Sequence, residues 1–194
     1  MQEQLELISL AAKHSFGIVE CIPTETLREI LTVKENESSI SNVLVEHEAN
    51  ILDSCFEIAS NIISEGSGKE VYASLLIQGI DCMKSGIYAP AQAILTILWD
   101  SYLVEESRSR KPITQIIETR IAKGDLLAVN SLSDIYTHAA YAPAVSAFQK
   151  NPFRSGYSRN GTIHYATQDQ FNEGNAICAL TVATGLLGRN WRIK

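Results

Sequence analysis

The sequence has few residues that break regular structure and no long apolar run. Its 194 residues include only 5 Pro and 11 Gly, too few for an all-β fold built from many tight turns. The most apolar stretch, residues 88–104, contains Pro90, Gln92 and Asp100, which predicts a buried helix and not a membrane span. The first residues are acidic where a secretory signal would be basic. A cytoplasmic protein is therefore expected.

Cysteine is also sparse, and the common catalytic signatures are missing. The four cysteines lie far apart with no C-x-x-C pair, each in an apolar, helix-like stretch: Cys21, Cys55, Cys82 and Cys178. We expect four reduced, packed thiols and no disulfide. No Walker A loop, G-x-G-x-x-G, H-E-x-x-H or G-x-S-x-G motif is present, and the four histidines show no metal-ligand spacing. The sequence therefore predicts no metal and no cofactor.

Charge is distributed unevenly along the chain. The net charge is −6. Residues 1–149 carry 20 acidic and 10 basic side chains, whereas residues 150–194 carry 2 and 6. A basic end on an acidic body fits a local anion or phosphate site better than a broad nucleic-acid groove. The alternative is that most of these basic residues are solvated loop and tail charges.

Apolar residues recur at helical spacing almost throughout, which predicts an all-α fold. A helix within residues 5–21 and a short one opened by Pro23 or Thr24 form an N-terminal helical extension, residues 1–36. Residues 37–194 form the main bundle. The bundle is predicted to contain helices at approximately residues 39–65, 72–83, 90–102, 112–124, 131–150 with a bend or break at Pro143, and 170–187.

The strongest candidate for chemistry is the segment Arg159-Asn160-Gly-Thr-Ile-His164. If it enters a helix, Arg159, Asn160 and His164 can converge. Arginine binds a phosphate bidentately and stabilises developing charge. Histidine exchanges a proton near neutral pH, and asparagine can orient either partner. Since the segment is a polar junction, the fold is expected to survive replacement of either reactive residue.

This segment resembles the R-[NHD]-x-x-x-H signature of the HEPN superfamily. The likeness extends to residues 170–176, which follow the motif and resemble the "N-A" ending of abortive-infection-like bacterial members. Upstream, residues 85–93 through Trp99 and Asp100 resemble the "aG-x-y-x-A-A-q-A … lD" helix of the same group. The matched stretches cover roughly residues 70–190. Tyr165 stands where relatives often have Gly, and Asn160 where the nearest relatives often have His.

The resemblance implies a HEPN-like bundle of four to five core helices that forms a homodimer. It implies a metal-independent endoribonuclease of a bacterial phage-defence, abortive-infection or toxin–antitoxin system, in which the ribose 2′-OH attacks the phosphodiester. Arg159 and His164 are then catalytic and Asn160 is their polar companion. Neighbouring side chains are assigned to substrate binding: Arg154, Tyr157, Ser158 and Tyr165. The expected substrate is single-stranded or loop RNA, and an antitoxin is a possible partner.

Two other interpretations remain open. In the first, the chain is a catalytically inactive HEPN-like module that binds a nucleotide or a partner protein through Arg159. In the second, it is a structural helical protein in which His164 is packed in the core. Independently, the apolar faces of helices 39–65 and 170–187 look wider than one small bundle can bury, which favours a two-fold homodimer.

Overall fold

The computed structural model describes residues 2–34, 36–107, 132–151, 156–165, 167 and 169–188, and in these ranges the chain is helical with no strand. The first helices are α1 (Gln2–His14), α2 (Thr24–Thr32), α3 (Glu37–Glu46), α4 (Glu48–Glu65) and α5 (Glu70–Lys84). They are followed by α6 (Tyr88–Ser107), α7 (Leu132–Gln149), α8 (Arg159–His164) and α9 (Glu173–Gly188). The all-α prediction is confirmed for this part of the chain.

Local sequence signals set most of the helix ends. Asn36 caps α3, since its side chain accepts hydrogen bonds from the backbone N–H groups of Ser38 and Ser39 at 3.0 and 3.3 Å. Gly66 ends α4 in the left-handed conformation at φ 60°, a conformation that glycine adopts without steric cost.

The predicted long helix 39–65 is divided at His47, where the backbone leaves helical geometry between α3 and α4. Nε2 of His47 lies 2.8 Å from Oε2 of Glu29, which ties the junction to α2. The spacing of apolar residues did not reveal this break, because Leu44 before it and Ile51 after it are seven residues apart, as on one continuous helix face. Both are buried. A deviation of one residue leaves the apolar stripe almost in register.

Helix α9 forms the centre of the fold. It packs against α3, α4, α5, α6 and α7, and residues 174–188 are all buried. The apolar residues of α3 and α4 that were predicted to share one face also belong to the single core cluster: Ile40, Val43, Leu44, Ile51, Cys55, Ile58 and Ile62. One chain therefore buries both faces that had suggested a dimer. That reason for dimerisation was wrong, and the dimer itself stays a prediction.

The N-terminal residues contribute to this same core. Helix α1 packs against α7 and α2, and Phe16 is completely buried. The backbone N–H of Gly17 donates to Oγ1 of Thr181 in α9 at 2.9 Å. A Cβ at Gly17 would lie 2.0 Å from the carbonyl oxygen of Thr181. The absence of a side chain at Gly17 is therefore what allows this segment to lie directly on the central helix.

Cysteine placement differs from expectation at Cys21. All four thiols are free, but Cys21 follows α1 in a non-helical segment, where a helical stripe was predicted. Its Sγ donates to the carbonyl of Gly17 at 3.4 Å and also lies 3.6 Å from the carbonyl oxygen of Thr181 in α9. Burial, reinforced by Cys55, raises the pKa of the Cys21 thiol well above its usual range. The buried Cys21 thiol therefore serves the packing between the N-terminal segment and α9.

Three further sequence predictions have different outcomes. Pro143 lies within an uninterrupted α7, so of the predicted bend or break the break does not occur, and the bend stays a prediction. The predicted helix 112–124 lies outside the described residues. Among the helices that are described, none combines the length and apolar character needed to cross a bilayer.

Candidate functional site

The Arg159–His164 segment forms the short helix α8, which is held between α6 and α7. Oγ of Ser158 caps it by accepting from the backbone N–H of Gly161 at 3.2 Å, and the same hydroxyl donates to the carbonyl of Lys150 at 3.2 Å. A six-residue helix has little intrinsic stability. The cap and the contacts with neighbouring helices therefore determine where its side chains point.

Buried polar side chains of α6 form hydrogen bonds with α8 and with the residue two positions before it. The hydroxyl of Tyr157 accepts from Trp99 Nε1 at 2.7 Å and lies 2.8 Å from Oγ1 of Thr96. Nε2 of Gln92 donates to Oγ1 of Thr162 at 2.7 Å. Burial raises the pKa of Tyr157 far above its usual range, so this phenol stays protonated. These bonds fix α8 on α6.

Close packing explains why the motif contains a glycine, Gly161. A Cβ at Gly161 would lie 2.5 Å from Oε1 of the buried Gln170. Nε2 of Gln170 in turn donates to the carbonyl of Gly156 at 3.2 Å. Gly161 therefore lets the chain that returns toward α9 close over α8.

The guanidinium of Arg159 is the centre of the site. Its Nη2 donates to Oδ2 of Asp100 at 2.8 Å, and Nη1 donates to Oδ1 of Asn160 at 3.1 Å. The ring of Phe148 covers it, with 5.2 Å from Cζ to the ring centroid. Only 11% of the Arg159 side chain is exposed, and its Nε is buried with no hydrogen-bond partner among the described residues. The arginine is therefore held from several sides.

His164 completes the site at its solvent edge. Its Nε2 lies 3.4 Å from Nη1 of Arg159, and the residue is exposed. Because a guanidinium only donates hydrogen bonds, this contact requires an unprotonated Nε2. An exposed His164 also contradicts the interpretation in which this residue is packed in the core. The arrangement offers a solvent-facing base next to a fixed cation.

Asn160 links the guanidinium to α7. While Oδ1 accepts from Arg159, Nδ2 donates to the carbonyl of Phe148 at 3.0 Å. Both ends of the amide are therefore used, as expected of a side chain that orients its neighbour. The three residues predicted to be catalytic, Arg159, Asn160 and His164, are adjacent to one another in the structure.

The four residues assigned to substrate binding are placed differently. Tyr157 and Ser158 are completely buried, and their hydroxyls form the internal bonds described above. They hold α8 in place, which differs from the substrate-facing role assigned to them from the sequence. Tyr165 is 40% exposed beside His164 and can be reached by a ligand. Arg154 lies outside the described residues.

Asp100 is the site residue that sequence analysis did not assign. It belongs to α6, and it was noted only as evidence against a membrane span and as part of a helix resemblance. The signal was available, since Asp100 is the one charged residue between Tyr88 and Val104. A carboxylate within such an apolar helix is expected to be paired when it is buried. The sequence does not reveal which cation pairs with it.

The structure describes only part of the basic C-terminal end. Of its six basic side chains, Lys150 and Arg159 lie in described parts of the chain. Arg159 is neutralised by Asp100, so its local charge is smaller than the sequence suggested. Within the described ranges, no group of three or more histidine, cysteine or carboxylate side chains is arranged to hold a metal ion.

Neither a family model, nor a curated protein sequence, nor a solved structure matches this chain.

Proposed function

We propose that this chain is a metal-independent endoribonuclease of the HEPN type, acting in a bacterial defence or toxin–antitoxin system. The observation that carries the proposal is the 3.4 Å approach of Arg159 Nη1 to Nε2 of an exposed His164. A guanidinium and an imidazole at this separation can contact one phosphodiester together. The resemblance of residues 159–164 to the R-N-x-x-x-H signature supports the same assignment.

In the proposed reaction, the ribose 2′-oxygen bonds to phosphorus as the bond to the 5′-oxygen breaks. Unprotonated His164 accepts the proton of the 2′-hydroxyl, and the departing 5′-oxygen takes a proton from a water molecule as it leaves. Arg159 stabilises the charge on the nonbridging oxygens. One product then ends in a 2′,3′-cyclic phosphate and the other begins with a 5′-hydroxyl.

The proposed substrate is single-stranded or loop RNA, whose unstacked bases can turn outward and stack on an exposed aromatic ring. Tyr165 is such a ring next to His164. The proposed assembly is a homodimer, in which a second Arg159–His164 pair faces the same cleft. An antitoxin that covers this cleft is a possible further partner.

A second function is favoured by a different observation. Arg159 and Asp100 form an ion pair whose side chains are only 11% and 10% exposed, so much of the guanidinium is already engaged within the chain. This suits a catalytically inactive HEPN-like module, in which α8 presents an anion-binding or protein-binding surface and His164 does not transfer protons. The two candidates make opposite predictions for cleavage.

An RNA cleavage assay with EDTA present separates these candidates. Under the proposal, wild type cleaves and leaves 2′,3′-cyclic phosphate ends, and His164→Ala is slower by about 10²–10⁴-fold. His47→Gln, which changes a histidine outside the site, keeps the wild-type rate. A folded His164→Ala protein that cleaves as fast as wild type contradicts the proposal. RNA binding by wild type without cleavage favours the inactive module.

A further inference from the structure

The contact between Arg159 and His164 is not one that helix geometry produces by itself. Five residues along an α-helix correspond to about 140° around the axis, so side chains at these two positions leave on different sides. Yet Nη1 of Arg159 lies 3.4 Å from Nε2 of His164. The contact therefore depends on where neighbouring groups hold the guanidinium.

Among the described residues, three groups other than His164 contact the guanidinium of Arg159. Asn160 accepts from Nη1, which is also the nitrogen that faces His164. Phe148 covers one face of the plane but does not fix rotation within that plane. Asp100 holds the other terminal nitrogen, with 2.8 Å between Oδ2 and Nη2. Because a guanidinium is planar and rigid, fixing Nη2 also fixes the direction in which Nη1 points.

We propose that Asp100 is a positioning residue whose carboxylate, by holding Nη2 of Arg159, turns Nη1 toward His164. The proposal deepens the proposed function, and its consequence for catalysis rests on that function. The arrangement of the side chains does not rest on it. Asp100 is suited to this task because it lies on α6, the long helix to which Tyr157 and Thr162 also anchor α8.

Two substitutions separate hydrogen bonding from charge at this position. Asp100→Asn keeps an acceptor oxygen at the same reach and removes the charge, whereas Asp100→Leu has similar size and no acceptor. Asp53→Leu is the matched control, since Asp53 also pairs with a cation, Lys84 at 3.4 Å, but its side chain is 77% exposed. Thermal unfolding and near-ultraviolet circular dichroism establish that each variant is folded.

The direct readout is the NMR spectrum of the two side chains, which requires no substrate. The ring ¹⁵N shifts of His164 report which nitrogen carries the proton, and the guanidinium signals of Arg159 report its restricted rotation. We expect Asp100→Asn and Asp53→Leu to keep the wild-type pattern. We expect Asp100→Leu to lose the restricted guanidinium signals and to shift the His164 ring signals.

The catalytic readout is single-turnover RNA cleavage. Misplacing a catalytic group by about 1 Å can cost about 10²-fold in rate, so we expect a loss of about that size in Asp100→Leu and its rescue in Asp100→Asn. If Asp100→Leu does not fold, Asp100→Ser replaces it, because a serine hydroxyl is too short to reach Nη2.

A folded Asp100→Leu or Asp100→Ser protein with wild-type NMR signals overturns the proposal. Loss of the contact in Asp100→Asn also overturns it, since that variant keeps the acceptor. If the NMR changes occur as expected but wild type cleaves no RNA, the positioning role stands and the proposed function fails. If wild type cleaves and the Asp100→Leu signals do not change, the proposed function stands and the positioning role fails.

Discussion

Asp100 and Arg159, 59 residues apart in the chain, form an ion pair with 2.8 Å between Oδ2 and Nη2. Their side chains are only 10% and 11% exposed, so the pair is poorly screened by solvent. Removing one member of a buried pair leaves the other charge without compensation. We therefore expect replacement of Arg159 to lower the stability of the fold as well as to disturb the site. Whether the fold survives that loss, as the sequence predicts, stays a prediction.

The first prediction follows from this dual role. We expect Arg159→Ala to lower the free energy of unfolding by about 3 kcal/mol. Arg159→Lys should keep more of that stability but not restore cleavage, because an ammonium does not reproduce the planar fork of a guanidinium. Urea denaturation measures the first quantity and the RNA assay measures the second.

Lys84→Ala is the control for this measurement. Lys84 pairs with Asp53 at 3.4 Å, and both side chains are well exposed, at 46% and 77%. We expect a loss of about 1 kcal/mol or less. Equal losses in Arg159→Ala and Lys84→Ala would show that the Asp100–Arg159 pair is not buried in solution. In either case His164→Ala is the cleaner test of catalysis, because His164 is exposed and is not part of that pair.

Sequence predicted the fold best where a single residue carries a strong local signal. Pro23 precedes α2, as expected. The helix ends predicted near residues 65 and 83 agree with α4 and α5, which end before Gly66 and Ser85. Prediction failed where tertiary contacts decide. At His47, where the predicted helix is divided, the side chain contacts Glu29 of another helix. The apolar helix α9 is surrounded by its own chain, where a partner had been expected to cover it.

For the site, the same distinction holds between local and distant information. Arg159, Asn160 and His164 were found because they lie within six residues of one another. The pairing of Asp100 with Arg159 was missed because periodicity carries no information about which helices become neighbours. Tyr157 and Ser158 were assigned by proximity to the motif, but proximity along the chain does not determine which face a side chain occupies.

The second prediction concerns the contact between the N-terminal segment and the central helix. Since a Cβ at Gly17 would lie 2.0 Å from the backbone oxygen of Thr181, we expect Gly17→Ala to destabilise the protein by about 3 kcal/mol. Gly185→Ala is the matched control, because its Cβ would lie 3.7 Å from Val19, an ordinary contact. It should be neutral or stabilise α9 by about 0.5–1 kcal/mol. Similar melting temperatures for the two variants would contradict the packing described here.

The third prediction concerns pH. Burial, and then the nearby Glu173, raises the pKa of Glu48 above its ordinary value of 4.5, although Tyr88 donates a hydrogen bond to it at 3.3 Å. A carboxyl with a raised pKa in the folded state binds protons more tightly when folded. The free energy of unfolding therefore falls as the pH rises from about 4.5 through the folded pKa. Ionised Glu48 thus destabilises the protein at neutral pH.

Glu48→Gln should accordingly be more stable than wild type at pH 7, by less than about 1 kcal/mol because the group is partly solvated. The difference should shrink below pH 4.5, where the wild-type carboxyl is protonated. Chemical denaturation across this pH range measures both effects. Glu57→Gln, at an exposed position of the same helix, should show no comparable gain. Identical pH profiles for the two variants would show that the pKa of Glu48 is not raised in the folded protein.

The last prediction concerns assembly. The apolar faces first considered for a dimer are buried within the chain, but α6 has another exposed stripe. Ile97 and Val104 lie two turns apart on this stripe, at 54% and 38% exposure, and flank Asp100. If two copies bring their Arg159–His164 pairs to one cleft, this stripe, on the helix that carries Asp100, is a candidate for the apolar part of their interface.

We therefore expect sedimentation to show a dimer at micromolar concentration and Ile97→Asp to convert it to a monomer, because a carboxylate buried at an apolar interface has no partner. Ile63→Asp is the control, since Ile63 is exposed to 38% on α4, a helix that does not form part of the site. It should leave the dimer intact. If the dimer provides the composite site, Ile97→Asp should also lose RNA cleavage while remaining folded. A wild-type monomer that cleaves RNA would show instead that one Arg159–His164 pair is sufficient.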